Sequence, residues 1–191
     1  MSIEAEIKAN VRDAEHVHAR LREWAEPEVA VYSDAYFDRD RTLTDADQEL
    51  RVRSIQTDSE STTLLTYKGA VVDAESGSKT ELETTGGDPD TLKAILEALG
   101  YTVFVAFDKH CTNYRFTRHD RKLLTTVVEV PQIDGTFIEV ETLISDSDDL
   151  DAALALVRDV LDELGITQAD ETRDAYTDAV LAAHRDGAPR A

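Results

Sequence analysis

The chain opens on an alternation: Ile3, Ala5 and Ile7 are apolar, while Glu4, Glu6 and Lys8 between them are charged. A period of two belongs to a strand with one apolar and one polar face, and it predicts a strand over residues 2–9. Helical spacing takes over from about Asp13, with Val17, Leu21 and Trp24 on one side, until Pro27 ends it. A run rich in Val, Tyr and Phe predicts a strand over 29–37, followed by a polar loop through Asp47. Strands over 49–55 and 62–68 are joined by a turn at 56–60, and 79–85 alternates again before Gly86 and Gly87 interrupt it. Asp88 and Pro89 open a helix that Gly100 stops. Residues 101–109 and 114–118 predict one long or bent strand; 122–130 and 136–143 predict two more, with Pro131 and Gly135 in their connection. A helix over 150–164 ends at Gly165, an amphipathic segment over 174–184 carries Ala175, Val180 and Leu181, and 185–191 reads as a frayed, disordered tail.

About eight strands with mostly short connections imply antiparallel pairing and an α+β fold, in one domain over residues 1–184. The polar faces carry long charged residues of both signs at i, i+2: Glu4, Glu6 and Lys8; Arg51 and Arg53; Lys79, Glu81 and Glu83; Glu139 and Glu141. Two architectures fit. In one, an open sheet shows this charged face to water. In the other, helices cover the apolar outside of a closed eight-stranded antiparallel β-barrel, and the charged residues line a tunnel.

Charge bears on the choice. The 191 residues hold 40 Asp+Glu against 20 Lys+Arg, a net charge of -20, with 41% apolar residues. That apolar share builds a core, so the chain is no disordered acidic tail, and the charge argues against nucleic acid or membrane as partner. An acid-rich, lysine-poor surface suits high salt, where the screening length falls to about 3 Å at 1 M; a halophilic, archaeal source is the expectation. Only six lysines are present, and Lys8, Lys68, Lys79 and Lys109 fall within predicted strands. Lysines so placed in such a chain are expected to bind something, which favours the tunnel. Cys111 is alone, excluding an intrachain disulfide or a cysteine metal cluster. No basic n-region and apolar run opens the chain, and no later stretch reaches bilayer length, so a soluble cytoplasmic protein is expected.

Several Lys and Arg facing one cavity repel each other unless a multiply charged anion sits among them, and a triphosphate is the natural small one. Carboxylates in the same cavity require bridging cations; hard oxygen ligands select Mg2+ or Mn2+. Metal-assisted chemistry at phosphorus follows.

Glu4-Ala5-Glu6-Ile7-Lys8 resembles the ExExK signature of the CYTH family, the triphosphate tunnel metalloenzymes that include class IV adenylyl cyclases and thiamine triphosphatases. The likeness continues in order through Tyr36-Phe37-Asp38, Leu50-Arg51-Val52-Arg53, Leu65 to Gly69, Lys79 to Glu83, Lys109, Phe137 to Glu141 and Ala175-Tyr176. It implies an eight-stranded tunnel in which Lys8, Arg51, Arg53, Lys68, Lys79 and Lys109 hold the phosphates, with Lys8, Arg53 and Lys68 at the reacting centre. Glu4, Glu6, Glu139 and Glu141 would bind one or two divalent ions. Cys111 stands where the family commonly has a phosphate-binding arginine, and reads as an ordinary strand residue; Arg115 or Arg118 are candidates to supply the missing charge. Glu129 is the best ungapped counterpart of a family aspartate and is taken as a further metal ligand. A class IV adenylyl cyclase is the closest overall likeness, a hydrolase of thiamine triphosphate or inorganic triphosphate the next, and a non-catalytic triphosphate-binding module the third. The expected partner is a small triphosphate, and the reading leaves room for a homodimer.

Overall fold

A computed structural model describes residues 2–74, 76–145 and 150–187. Eight strands are present: β1 (Ser2–Val11), β2 (Glu28–Asp38), β3 (Glu49–Thr57), β4 (Ser61–Val71), β5 (Lys79–Gly86), β6 (Thr102–Arg118), β7 (Arg121–Glu129) and β8 (Thr136–Ser145). Four helices accompany them: α1 (Ala14–Leu21), α2 (Pro89–Ala98), α3 (Leu150–Glu163) and α4 (Tyr176–Gly187). The strands close into a barrel in the order β1-β5-β4-β3-β2-β6-β7-β8. Every neighbouring pair is antiparallel. The closed charged tunnel is therefore the architecture, and the open sheet is excluded. The disordered tail expected over 185–191 is helical as far as Gly187, and its remainder lies outside the described residues.

The outward face of β1, Ala5, Ile7 and Ala9, joins Ile138 and Val140 of β8 in the main core. Leu154, Val157, Val160 and Leu161 of α3 complete that core, together with Val17 and Leu21 of α1. Each large apolar side chain fully buried there contributes roughly 1.5–3 kcal/mol. Asp13 caps α1 by accepting from the His16 amide at 3.0 Å, and Asp88 caps α2 by accepting from the Thr91 amide at 2.8 Å. Leu96 of α2 packs on Phe37 and Val52, covering the opposite flank of the barrel.

α4 has a different role. Its Tyr176 and Val180 cluster with Tyr32, Cys111 and Val128, side chains on the inward faces of β2, β6 and β7. α1, α2 and α3 lie outside the barrel as expected, whereas α4 plugs one end of it. The long polar segment before β3 is ordered by Asp38, whose carboxylate accepts from the amides of Arg39, Leu43 and Thr44 at 2.6, 3.0 and 3.0 Å. Burial opposes ionisation of Asp38, but these bonds and the Thr44 hydroxyl outweigh it and bring its pKa down to about 2. No helix among the described residues is long and apolar enough to cross a membrane.

Candidate active site

Strand parity builds the site. With Ala5 and Ile7 committed to the outer core, Glu4, Glu6 and Lys8 must point inward. In the antiparallel register Glu6 sits opposite Glu141 and Lys8 opposite Glu139. The same logic aims Arg51 and Arg53 inward from β3 because Val52 is core. Lys68 comes from β4, Lys79 and Glu81 from β5, and Lys109 from β6. A cavity of about 360 Å³ results, with Lys8, Lys68 and Lys109 facing Glu4, Glu6 and Glu141 across it. Arg53, Lys79 and Glu139 also line it, as do Ser76 and Gly77 of the β4–β5 connection. All four lysines predicted to lie in strands are thus on the lumen.

Three carboxylates converge. Glu4, Glu6 and Glu141 each place an oxygen within 4.8 Å of the others, an arrangement that can hold a metal ion. Burial, then repulsion by Glu4, raises the pKa of Glu6 to about 7. Glu141 is driven well above the usual carboxylate range by burial and by Glu4 and Glu6. Three anions this close cannot all stay charged without a counter-charge, and a hard divalent cation would supply one. The donor set therefore fits Mg2+ or Mn2+.

The cations are held by carboxylates. Arg53 makes a bidentate pair with Asp34, Nε to Oδ1 at 2.6 Å and Nη2 to Oδ2 at 2.7 Å. Burial would raise the pKa of Asp34, but the charge and hydrogen bonds of Arg53 together hold it far below normal. Lys68 contacts Glu4 and lies 3.3 Å from Glu81. Burial disfavours its charge, yet Glu4 and Glu6 override burial and keep its pKa well above the ordinary value. Lys109 lies 3.2 Å from Glu139. Lys79, at the rim, bridges Asp47 at 3.0 Å and Glu49 at 2.8 Å. Lys8 differs: burial lowers its pKa despite Glu139 and Glu6. It donates to the Asp174 carbonyl and stands 4.4 Å from the centre of the Tyr176 ring. Arg51 is buried beside Thr66 and Glu83, and its Nε–H has no hydrogen-bond partner among the described residues. An orphaned guanidinium donor beside the lumen is suited to an incoming anion.

Two expectations need correction, those for Glu129 and for Arg115 or Arg118. Glu129 does not join the acidic trio: it is exposed on the outer face of β7 and accepts from the Thr136 hydroxyl at 3.4 Å. The inward position next to it is Val128, opposite Phe137. Glu139 lies in the same cavity as the trio and pairs with Lys109. Its pKa falls because Lys109 and Arg53 outweigh burial. Neither Arg115 nor Arg118 replaces a charge at Cys111. Arg118 pairs with Glu163 at 2.5 Å and lies over Trp24, while Arg115 pairs with Glu28 at 3.4 Å. Cys111 is buried under α4, and burial pushes its thiol up to about 12. Its reading as a structural residue stands.

Residues that strand-by-strand reading missed are Asp34, Tyr36 and Tyr176, with Glu81 left unassigned. Tyr36 lies 5.9 Å under the Arg51 guanidinium. The buried Tyr176 hydroxyl lies against Glu139, which with burial raises its pKa strongly, but it makes no well-aligned hydrogen bond.

A closed antiparallel tunnel lined by facing carboxylates and cations is the class that this fold and lumen define. Residues 2–176 match the CYTH domain, and the chain belongs to the CYTH family. It is 27% identical over 179 residues to a protein of Methanocaldococcus jannaschii named "Putative adenylate cyclase", covering 91% of this chain and 96% of that one. The solved PH1819 protein of Pyrococcus horikoshii OT3 superposes with a TM-score of 0.79 at 26% identity, over 94% of this chain and 98% of that one. A Hippeastrum protein described as a "putative adenylyl cyclase" with a dominant triphosphatase activity has a TM-score of 0.67 at 16% identity, over 95% and 96% of the two chains. That likeness shows the fold alone.

Proposed function

We propose that the lumen binds a triphosphate together with Mg2+ or Mn2+ and promotes chemistry at phosphorus, with conversion of ATP to cyclic AMP and pyrophosphate as the leading reaction. One observation carries this reading: the Glu4, Glu6 and Glu141 trio shares a single cavity with Lys8, Lys68, Lys109 and Arg53. The relative named for adenylate cyclase supports the cyclase. Charged residues make up most of that cavity's lining and suit phosphates, which supports hydrolysis of a triphosphate as the second reading.

The residues act by exchange of partners. Lys68 is held by Glu4, and Lys109 by Glu139. A divalent cation on the trio would supply Lewis acidity at phosphoryl oxygens. Glu4 would then be committed elsewhere, leaving the Lys68 ammonium to hydrogen-bond phosphate. Arg53, fixed by Asp34, keeps its remaining N–H donors aimed at one place, and such preorganisation favours developing charge over ground-state charge. An anion beside Lys8 would compensate the burial that lowers its pKa. Arg51, Lys79 and Lys109 hold the rest of the chain of phosphates.

The test is incubation with ATP, thiamine triphosphate and tripolyphosphate, each with Mg2+ or Mn2+ in high salt. Cyclic AMP with pyrophosphate supports the cyclase, and orthophosphate the hydrolase. Tight binding without turnover would leave only the triphosphate-binding module.

A further inference from the structure

A second cavity, of about 840 Å³, adjoins the first and shares Glu141 with it. It arises because β6 is longer than its neighbour: Glu28, the first residue of β2, pairs with Asn113, so Arg115 and Thr117 have β7 on one side and no β2 on the other. The β6–β7 hairpin therefore overhangs the closed barrel and carries its inward face into the open. Arg115 stands opposite Leu124, Thr117 opposite Lys122, and Leu124 opposite Glu141. Cross-strand partners share a face, so these side chains form one surface continuous with the tunnel lining. Leu143, the next inward residue of β8, is 59% exposed on it.

This surface reverses the chemistry of its surroundings in two respects. In a chain of net charge -20, residues 115–122 hold Arg115, Arg118, Arg121 and Lys122 against Asp120 alone. Arg118 is turned outward onto Trp24, but Arg115, Arg121 and Lys122 line the cavity. It also offers Leu124 and Leu143, larger aliphatic side chains than the Val71 and Ala175 of the tunnel lining. The aromatic Tyr176 of the tunnel already has the Lys8 and Lys109 ammonium groups 4.4 and 4.7 Å from its ring centre. Apolar walls with a few charged donors are how sites receive organic ligands, and a planar guanidinium stacks on heterocycles.

We propose that this overhanging groove receives the organic end of the substrate, a planar nucleoside-like group, while its triphosphate lies in the tunnel with Glu141 at the junction. The proposal rests on the triphosphate reading of the lumen and adds the place where the organic end of that substrate is held. Leu124 and Leu143, side by side on neighbouring strands, form the floor on which the heterocycle lies, and Arg115 and Lys122 donate to its polar edge.

The experiment compares ATP with inorganic tripolyphosphate, which has no organic end. Binding is measured by calorimetry with Mn2+ for the wild type, Leu143→Asp, and Arg115→Glu with Lys122→Glu. All three positions are exposed, so the variants should fold; Leu143→Gln is a milder companion if a thermal melt shows otherwise. The expected result is ATP binding weakened about tenfold, the loss of roughly one good contact, with tripolyphosphate changed by less than about twofold. Unchanged ATP binding, or equal weakening of both ligands, would overturn the groove while leaving the lumen reading intact. Failure of the wild type to bind tripolyphosphate would overturn the lumen reading and the groove with it.

Discussion

Replacing Asp34 by Asn tests whether the lumen is held in shape by its internal ion pairs. The Asp34 side chain is 0% exposed and the Arg53 side chain 11%. The substitution keeps size but removes the charge that accepts both guanidinium bonds, leaving Arg53 buried without its nearest counter-ion. Breaking a buried pair from one side costs about 3–5 kcal/mol. In a chain of this length 1 kcal/mol moves the melting temperature by roughly 2–4 °C, so a fall of about 6–20 °C is expected. The folded pKa of Asp34 lies below its ordinary 3.8. Its contribution is therefore fully present above that value and lost only as pH falls through the depressed one, so the deficit should be flat from about pH 5 to 8. It should also survive molar salt, which screens buried pairs little. Asp34→Asn combined with Arg53→Gln should be more stable than Asp34→Asn alone, because the stranded charge is gone. Thermal melts of the wild type, Asp34→Asn, Arg53→Gln and the double variant decide. A single-variant loss under about 2 °C, or strict additivity in the double variant, would refute the argument.

Glu6, with its pKa raised to about 7 from an ordinary 4.5, favours the protonated folded state. Its contribution to the stability of the metal-free protein is fully present below about pH 4.5 and declines as pH rises through 7, and saturating Mn2+ should cancel that decline in melts across pH. Mn2+ binding should strengthen from pH 6 to 8 as Glu6 loses its proton, read by calorimetry. Cys111 should resist alkylation in the folded protein and react only on denaturation, followed by mass spectrometry; rapid labelling at neutral pH would contradict its burial. Lys109→Met should weaken tripolyphosphate binding by about 2 kcal/mol or more, since a charged hydrogen bond is lost and Glu139 is left unpaired.

The parity of β1, β3, β5 and β8 was legible because each strand alternates cleanly, and inward placement of their charged residues followed. What escaped depends on partners distant in the chain. Asp34 lies in a run, 29–37, where Tyr, Ser and Ala blur the alternation, and only the pairing of β2 with β3 sets it against Arg53. Glu129 failed through register: an ungapped likeness put a carboxylate near the expected place, but one residue of offset turns a strand side chain to the opposite face. Glu139 shares the inward face with Glu141, yet the spacing could not show that Lys109 would claim it. The amphipathic pattern of α4 gives it a buried stripe without saying which side of the sheet receives it. Its place inside the barrel mouth follows from the inward apolar patch of Tyr32, Cys111 and Val128.

The account stands on linkage between metal and phosphate in one lumen. The most direct measurement is calorimetric titration of tripolyphosphate with and without saturating Mn2+, for the wild type and for Glu4→Gln with Glu6→Gln. The exchange of Lys68 from Glu4 to phosphate predicts that Mn2+ tightens binding to the wild type by about tenfold or more, a coupling of at least ~1.4 kcal/mol, and that the variant shows no such gain. Equal tripolyphosphate affinity with and without Mn2+ in the wild type, or undiminished coupling in the variant, would contradict it.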